Sequence, residues 1–178
     1  PRGIDAPEAR ALLDQAAYLH DVGHLVRFEG HHKHSYHLIA HADLAGFSPR
    51  EVRLIALVAR FHTGKSPRKR HPLLQGIEKS DRHLVRYLAG VLRVADALDR
   101  CHCQRISAVH VGRTGNTVTV RIAAGSNPEL ELWAARRKAG LLEEVLDVRV
   151  RFSPIKAPPN LATLLEGTGS HAPARARP

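Results

Sequence analysis

Apolar positions recur at helical spacing over the first hundred residues of the chain and at strand spacing after them. Ala11, Leu12, Ala16, Leu19 and Val22 follow three- and four-residue steps, which predicts a helix over Pro7–His24 with Gly23 at its end. After a break at Glu29-Gly30, a second helix is expected from Lys33 to Leu44, stopping at Gly46. The third has the clearest start signal: Ser48 is a natural N-cap, Pro49 suits the first turn, and Glu51 can reach back as the capping-box partner. Leu54, Ile55, Val58 and Phe61 form its stripe, and Gly64 and Pro67 end it. A long helix is then predicted over Asp81–Cys101, with Leu84, Leu88, Val91, Leu92, Ala95 and Leu98 facing inward.

The period changes after Gln104. Ile106–Val111 is β-like, Val118, Val120 and Ile122 alternate in period two, and Gly115-Asn116 lies between them as a hairpin turn. A short strand over Leu130–Leu132, a helix from Trp133 to Leu146 and a last strand over Val148–Phe152 complete the pattern. From Pro154 the chain is rich in Pro, Ala and Gly with little periodicity. The fold class expected is a mainly α domain over residues 1–104, a small α+β domain over 105–153 and a flexible tail over 154–178.

With 178 residues the chain is long enough to bury a real core. Hydrophobic residues make up 43%, which argues against wholesale disorder, and no apolar run approaches the roughly 18 residues of a membrane span. Cys101 and Cys103 are too few for a disulfide framework and too close for an easy bridge, so a reducing cytoplasm is expected. No basic-then-apolar leader opens the chain. It begins with Pro1 and has no Met, which suggests a piece of something longer. The net charge of +10 favours polyanionic partners such as nucleic acid, phosphorylated metabolites or polyphosphate. A basic loop, Lys65, Arg68, Lys69 and Arg70, is stiffened by Pro67 and Pro72. Arg136, Arg137 and Lys138 read more simply as a solvated helix face.

Histidine is the outlier. Eight of the 13 lie between His20 and His62. His20-Asp21 puts an imidazole and a carboxylate at adjacent positions, a compact ligand pair for a divalent cation. His34, His37 and His41 share a helix face, although His31, His37 and His41 read as surface histidines. His62 stands at the end of the third helix beside the basic loop. Asp96 sits in an apolar run and needs a partner if buried, either a metal or Arg93 and Arg100 one turn to each side.

His20-Asp21, His34, His62 and Asp96, drawn from four helices, resemble the ligand pattern of the HD superfamily of metal-dependent phosphohydrolases. There, an upstream His, a His-Asp pair and a distant Asp bind the metal, and binuclear members recruit further His residues. No His precedes His20 here, so the upstream ligand has no counterpart. The strings YLHDVGHLV, GHHKHSYHLI, GFSPREVRLIALVARFH, LRVADALDRCH and ELELWAARRKAGLLEEV also resemble the C-terminal part of the exopolyphosphatase/guanosine pentaphosphate phosphohydrolase (Ppx/GppA) family.

That resemblance implies an HD-like helical domain and a small domain following an actin-like catalytic half that does not lie in this sequence. It also implies magnesium or manganese, polyphosphate or guanosine pentaphosphate as ligand, and dimer contacts. Lys33, Lys65, Arg68, Lys69 and Arg70 form the expected polyanion track, because a flexible polyanion binds through Lys/Arg contacts and counterion release. The alternative is a stand-alone metal-dependent HD phosphohydrolase acting on a nucleotide phosphate, with His20, Asp21, His34, His62 and Asp96 as ligands. A nucleic-acid-binding protein is disfavoured by 4% aromatics and the lack of a recognised motif.

Overall fold

The computed structural model describes residues 5–68, 70–100, 102–125 and 127–156. Helix α1 runs Ala6–Leu19, capped by Asp5, with Ala9, Leu12 and Ala16 buried along one face. It is shorter than expected: the chain leaves the helix at His20 and passes through a 3-10 turn, Val22–Leu25. Helix α2, His31–Ala40, starts at Gly30, whose φ of 72° suits glycine, and ends four residues before the expected Leu44. Helix α3, Pro49–Phe61, forms the capping box read from Ser48 and Glu51, and buries eight of its residues. Helix α4, Lys79–Leu98, runs 20 residues and is the spine of the molecule.

α4 serves two apolar cores. Leu84, Val85, Leu88, Ala89 and Leu92 pack with α1 and α3 in the first. Val94, Ala97 and Leu98 belong to the second, which the later elements complete. At the first core's edge Arg50 bonds the buried Asp81 and, at 2.6 Å, Glu8, tying α3 to α4 and α1. Ala95, expected to face inward, is exposed and lines an apolar groove of about 940 Å3 between α4 and the sheet.

The second part holds strands β1 (Ile106–Thr114), β2 (Thr117–Ala124) and β3 (Arg149–Lys156), in the order β1-β2-β3. β1 and β2 are an antiparallel hairpin, turning at Gly115-Asn116 as expected. β3 runs parallel to β2, so a crossover must join them. That crossover is α5 (Glu129–Lys138) and α6 (Gly140–Leu146), which replace the expected strand at 130–132 and the single helix after it. The Glu-Leu-Glu-Leu alternation fits a strand, yet Leu132, Ala135 and Ala139 bury at helical spacing, and Glu129 and Glu131 suit a helix N-terminus. β3 continues through Pro154 to Lys156, and the remainder of the expected tail lies outside the described residues. The result is a helical part followed by a small α+β part.

Gly90 of α4 lies against α6 so closely that a Cβ would meet Leu142 backbone atoms at 3.1 Å. Gly90→Val should therefore overpack this seam and cost about 1–3 kcal/mol, read as a lower urea midpoint with an unchanged slope.

Candidate metal centre

The site begins where α1 stops. His20 is the C-cap of α1 and Asp21 follows at φ −102°, ψ 3°, so the pair leaves the helix instead of sitting on adjacent helical positions. Ser35, fully buried on α2, holds the turn. Its Oγ accepts from Gly23 N at 2.9 Å and donates to His20 O at 2.6 Å. Gly23 packs directly on α2, where a Cβ would lie 2.1 Å from His31 O and 2.5 Å from Ser35 N. Only glycine permits that approach, and the approach brings the His20–His24 turn to the start of α2.

Asp21 becomes the centre of a ring of imidazoles. His24 Nε2 lies 3.6 Å, His31 Nε2 3.4 Å and His62 Nε2 3.6 Å from Asp21 Oδ1. His20 Nε2 is 3.4 Å and His102 Nε2 3.9 Å from Oδ2. Asp96 faces the same group, its Oδ1 3.9 Å from His20 Nε2. Two sets place their ligand atoms within 4.8 Å of one another: His20, Asp21 and His62, and Asp21, His24 and His31.

The tautomers follow from the backbone. The Nδ1 atoms of His20, His31 and His62 lie 2.7, 3.2 and 2.6 Å from the carbonyls of Ala17, Phe28 and Ala59. A carbonyl only accepts, so in each neutral ring Nδ1 carries the proton and Nε2 presents a lone pair. His31 Nε2 and His62 Nε2 then face each other at 3.2 Å, lone pair to lone pair. His20 Nε2 is buried with no hydrogen-bond partner. Convergent lone pairs, an orphaned buried nitrogen and a carboxylate between them are the donor set of a cation, and the backbone carbonyls supply the outer support that orients ligating imidazoles. The residues present fit a divalent metal.

Burial sets the local titration. It holds His62 down to about 3, against the opposing pull of the Ala59 carbonyl. His32, beside the ring of imidazoles, is held to about 4 by burial and then by Arg60. Burial raises the Asp96 carboxyl, opposed chiefly by His20.

The structure brings together His20, Asp21, His62 and Asp96, four of the five expected metal ligands. His34 is not among them: it points from α2 without a hydrogen bond, ion pair or ring contact to this group. His31, expected on the surface, takes its place, because α2 starts earlier and its first turn abuts Gly23. His24 joins through the 3-10 turn that the helical reading over Pro7–His24 had straightened. The His-Asp-x-x-His spacing was the visible signal for it. Nor does Arg93 pair with Asp96. Its Nε donates to Phe61 O at 2.7 Å, and its terminal nitrogens go to Thr63 O, Gly64 O and Ser66 Oγ. His37 and His41 are exposed as expected.

Of the expected polyanion track, Lys33, Lys65, Arg68 and Arg70 are exposed and enter no ion pair, while Lys69 lies outside the described residues. Arg136 and Arg137 are exposed as expected, Arg137 lying over Trp133 at 4.9 Å, whereas Lys138 is half-buried and turns to Thr63. Among the described residues, no helix is long and apolar enough to cross a membrane.

The model of the Ppx/GppA phosphatase family, domain III, matches residues 2–135, spanning α1 to α4, the hairpin and most of α5. This chain belongs to the Ppx/GppA phosphatase family. It is also 32% identical over 95 residues to the guanosine-5'-triphosphate,3'-diphosphate pyrophosphatase of Pseudoalteromonas translucida (strain TAC 125). That match covers 52% of this chain and 18% of the relative, so the chain spans under a fifth of that Ppx/GppA protein.

Two outcomes follow from the geometry. Gly23→Ala forces α2 and the His20–His24 turn apart, and should cost about 3 kcal/mol together with perturbed imidazole resonances of His20 and His31 in proton NMR. In the metal-free chain, His62 stays neutral when folded down to about 3 but titrates near 6.5 when unfolded. The unfolded state therefore binds the additional proton, so stability is full above pH 6.5 and falls as pH drops toward 3, by up to about 1.4 kcal/mol per unit. His32 adds in the same direction. Urea unfolding at pH 7 and pH 5 should show a smaller loss in His62→Gln than in wild type.

Proposed function

We propose that this chain is the metal-holding, polyanion-binding module of a phosphoanhydride hydrolase of the Ppx/GppA type. The observation that carries the reading is the convergence of imidazole lone pairs on Asp21, with His20 Nε2 buried and unpartnered. His20, Asp21, His62 and Asp96 hold one divalent cation, magnesium or manganese, and Asp21, His24 and His31 hold a second. A bound divalent cation supplies Lewis acidity toward a phosphoryl oxygen. The protein's own part is to keep the Nε2 atoms unprotonated through the Nδ1–carbonyl bonds and to hold Asp21 between the two sets. No His precedes His20 in this sequence, and in this reading His24 and His31 add to the donor set.

The ligand is polyphosphate or a guanosine polyphosphate, the latter suggested by the relative's own name. Lys33, Lys65, Arg68 and Arg70, exposed and without ion pairs, collect the chain of phosphates electrostatically, with Lys69 expected in the same track. Cleavage of the terminal phosphate belongs to the actin-like half typical of the family, and a second copy of the chain is the expected dimer partner. A specific observation favours a second reading. Two ligand sets sharing one carboxylate suit hydrolysis at this centre itself, with a nucleotide phosphate as substrate and the centre as a metal-dependent HD phosphohydrolase.

Elemental analysis after manganese loading, paired with phosphate-release assays, decides between these. Wild type and His34→Ala should retain the metal and Asp21→Ala should lose it, whereas a metal-free wild type would sink the centre. Binding of long polyphosphate without phosphate release supports the module, and release from guanosine pentaphosphate or a simpler nucleotide supports the hydrolase.

A further inference from the structure

The small α+β part supplies one side chain to the edge of the metal centre. Lys138, the last residue of α5, donates from Nζ to Thr63 Oγ1 at 3.1 Å. Thr63 directly follows His62, whose Nε2 faces Asp21. The turn 61–66 thus carries a ligand of the centre at one position and the Lys138 contact at the next.

The same turn is fixed from beneath by Arg93. Its guanidinium is 5% exposed, and it spends its donors on Phe61 O, Thr63 O, Gly64 O and Ser66 Oγ. Arg93 thus commits four of its five donors to this turn and keeps its charge. Lys138 has used one of its three donors, leaving two. Among the described residues neither cation forms an ion pair, although Asp96, one turn beyond Arg93 on α4, acts on Lys138 from outside ion-pair distance. Two neighbouring cations, one buried and one half-buried, with no carboxylate bound to either, are costly unless an anion neutralises them.

We propose that Lys138, held by Thr63 and backed by the Arg93 charge, is the anion-binding residue of the His/Asp centre and takes an oxygen of a terminal phosphate. The inference rests on the metal-centre reading for its place in catalysis but not for the binding itself. Burial and then the neighbouring Arg93 hold the Lys138 ammonium below its usual value, against the opposing pull of Asp96. The anion class is a phosphoryl group with at least two free oxygens, because the two unused Lys138 donors and the metal ligands approach from different elements. Recognition of this end of the ligand thus draws on the α+β part, which carries Lys138 on α5.

The test is calorimetric titration of inorganic phosphate into the full chain, manganese-loaded and metal-free, for wild type, Lys138→Ala, Lys138→Gln and, as a distant charge control, Arg121→Ala. Lys138→Gln keeps a polar end for Thr63 and guards against a folding defect, which thermal melts report. Loss of one charged hydrogen-bond partner should weaken phosphate binding about 10- to 100-fold in both Lys138 variants, with manganese stoichiometry unchanged. An unaltered affinity in Lys138→Gln, an equal loss in Arg121→Ala, or no phosphate binding by wild type would overturn the proposal. If wild type takes up no manganese while the metal-free chain still loses phosphate with Lys138, the metal centre falls and the anion site stands.

Discussion

Gly23 sits on α2 with backbone against backbone and no room for a methyl group. A helix that continued through His24 would carry the His-Asp pair along the axis of α1. Instead the chain turns, and the Ser35 hydroxyl closes the turn by bonding both Gly23 N and His20 O. Ser35 is fully buried, so those bonds have no competing water and their loss would leave polar atoms stranded. Everything at the centre depends on this contact: it sets His24 and His31 side by side, their rings stacked at 4.1 Å, and aims Asp21 at His62.

Given that placement, the electrostatics of the centre are unusual for a protein interior. Imidazoles crowd one carboxylate, yet the most buried of them, His62, resists protonation. His62 itself therefore takes up no proton toward the His31 Nε2 that faces it at 3.2 Å. A divalent cation between them would satisfy both lone pairs and leave the Nδ1 bonds to the backbone carbonyls in place. The surrounding cations are distributed rather than uniform. Arg50 is paired with Asp81 and Glu8, and Arg86 with Glu144. Among the described residues, Lys138, Arg93, Lys65, Arg68 and Arg70 form no ion pair.

α4 joins the helical and α+β parts into a working whole. It gives one stretch to the core with α1 and α3, another to the core with the sheet, and Arg93 and Asp96 to the site between. The close seam at Gly90 locks α6 against it, and α5, packed in the second core, ends with Lys138 reaching Thr63. The short turn 61–66 therefore meets both parts: Phe61 belongs to the first core, and Arg93 of α4 and Lys138 of α5 bond to the turn.

Local signals were enough for much of this. The capping box at Ser48 and Glu51, the Gly115-Asn116 turn, the long α4 and the alternation of β2 are decided within a few residues of chain, and the sequence by itself determined them. His20 and Asp21 were legible as an adjacent His-Asp pair, Asp96 as a carboxylate inside an apolar run, and the set with His62 through the resemblance to the HD pattern. Decisions that compare distant surfaces were not legible. The Glu-Leu-Glu-Leu segment suits strand or helix locally, and burial of Leu132 and Ala135 against α4 and the sheet chose the helix. His34 and His31 are equivalent by composition, three residues apart on one helix. Only the docking of Gly23 on the first turn of α2 made one a neighbour of Asp21 and turned the other away. Lys138 looked like one of three solvated cations until the fold of α5 onto α4 set it against Thr63. Periodicity reports which face of an element is buried; which residue meets which across that face is settled by packing, where a single Cβ is enough to forbid the contact.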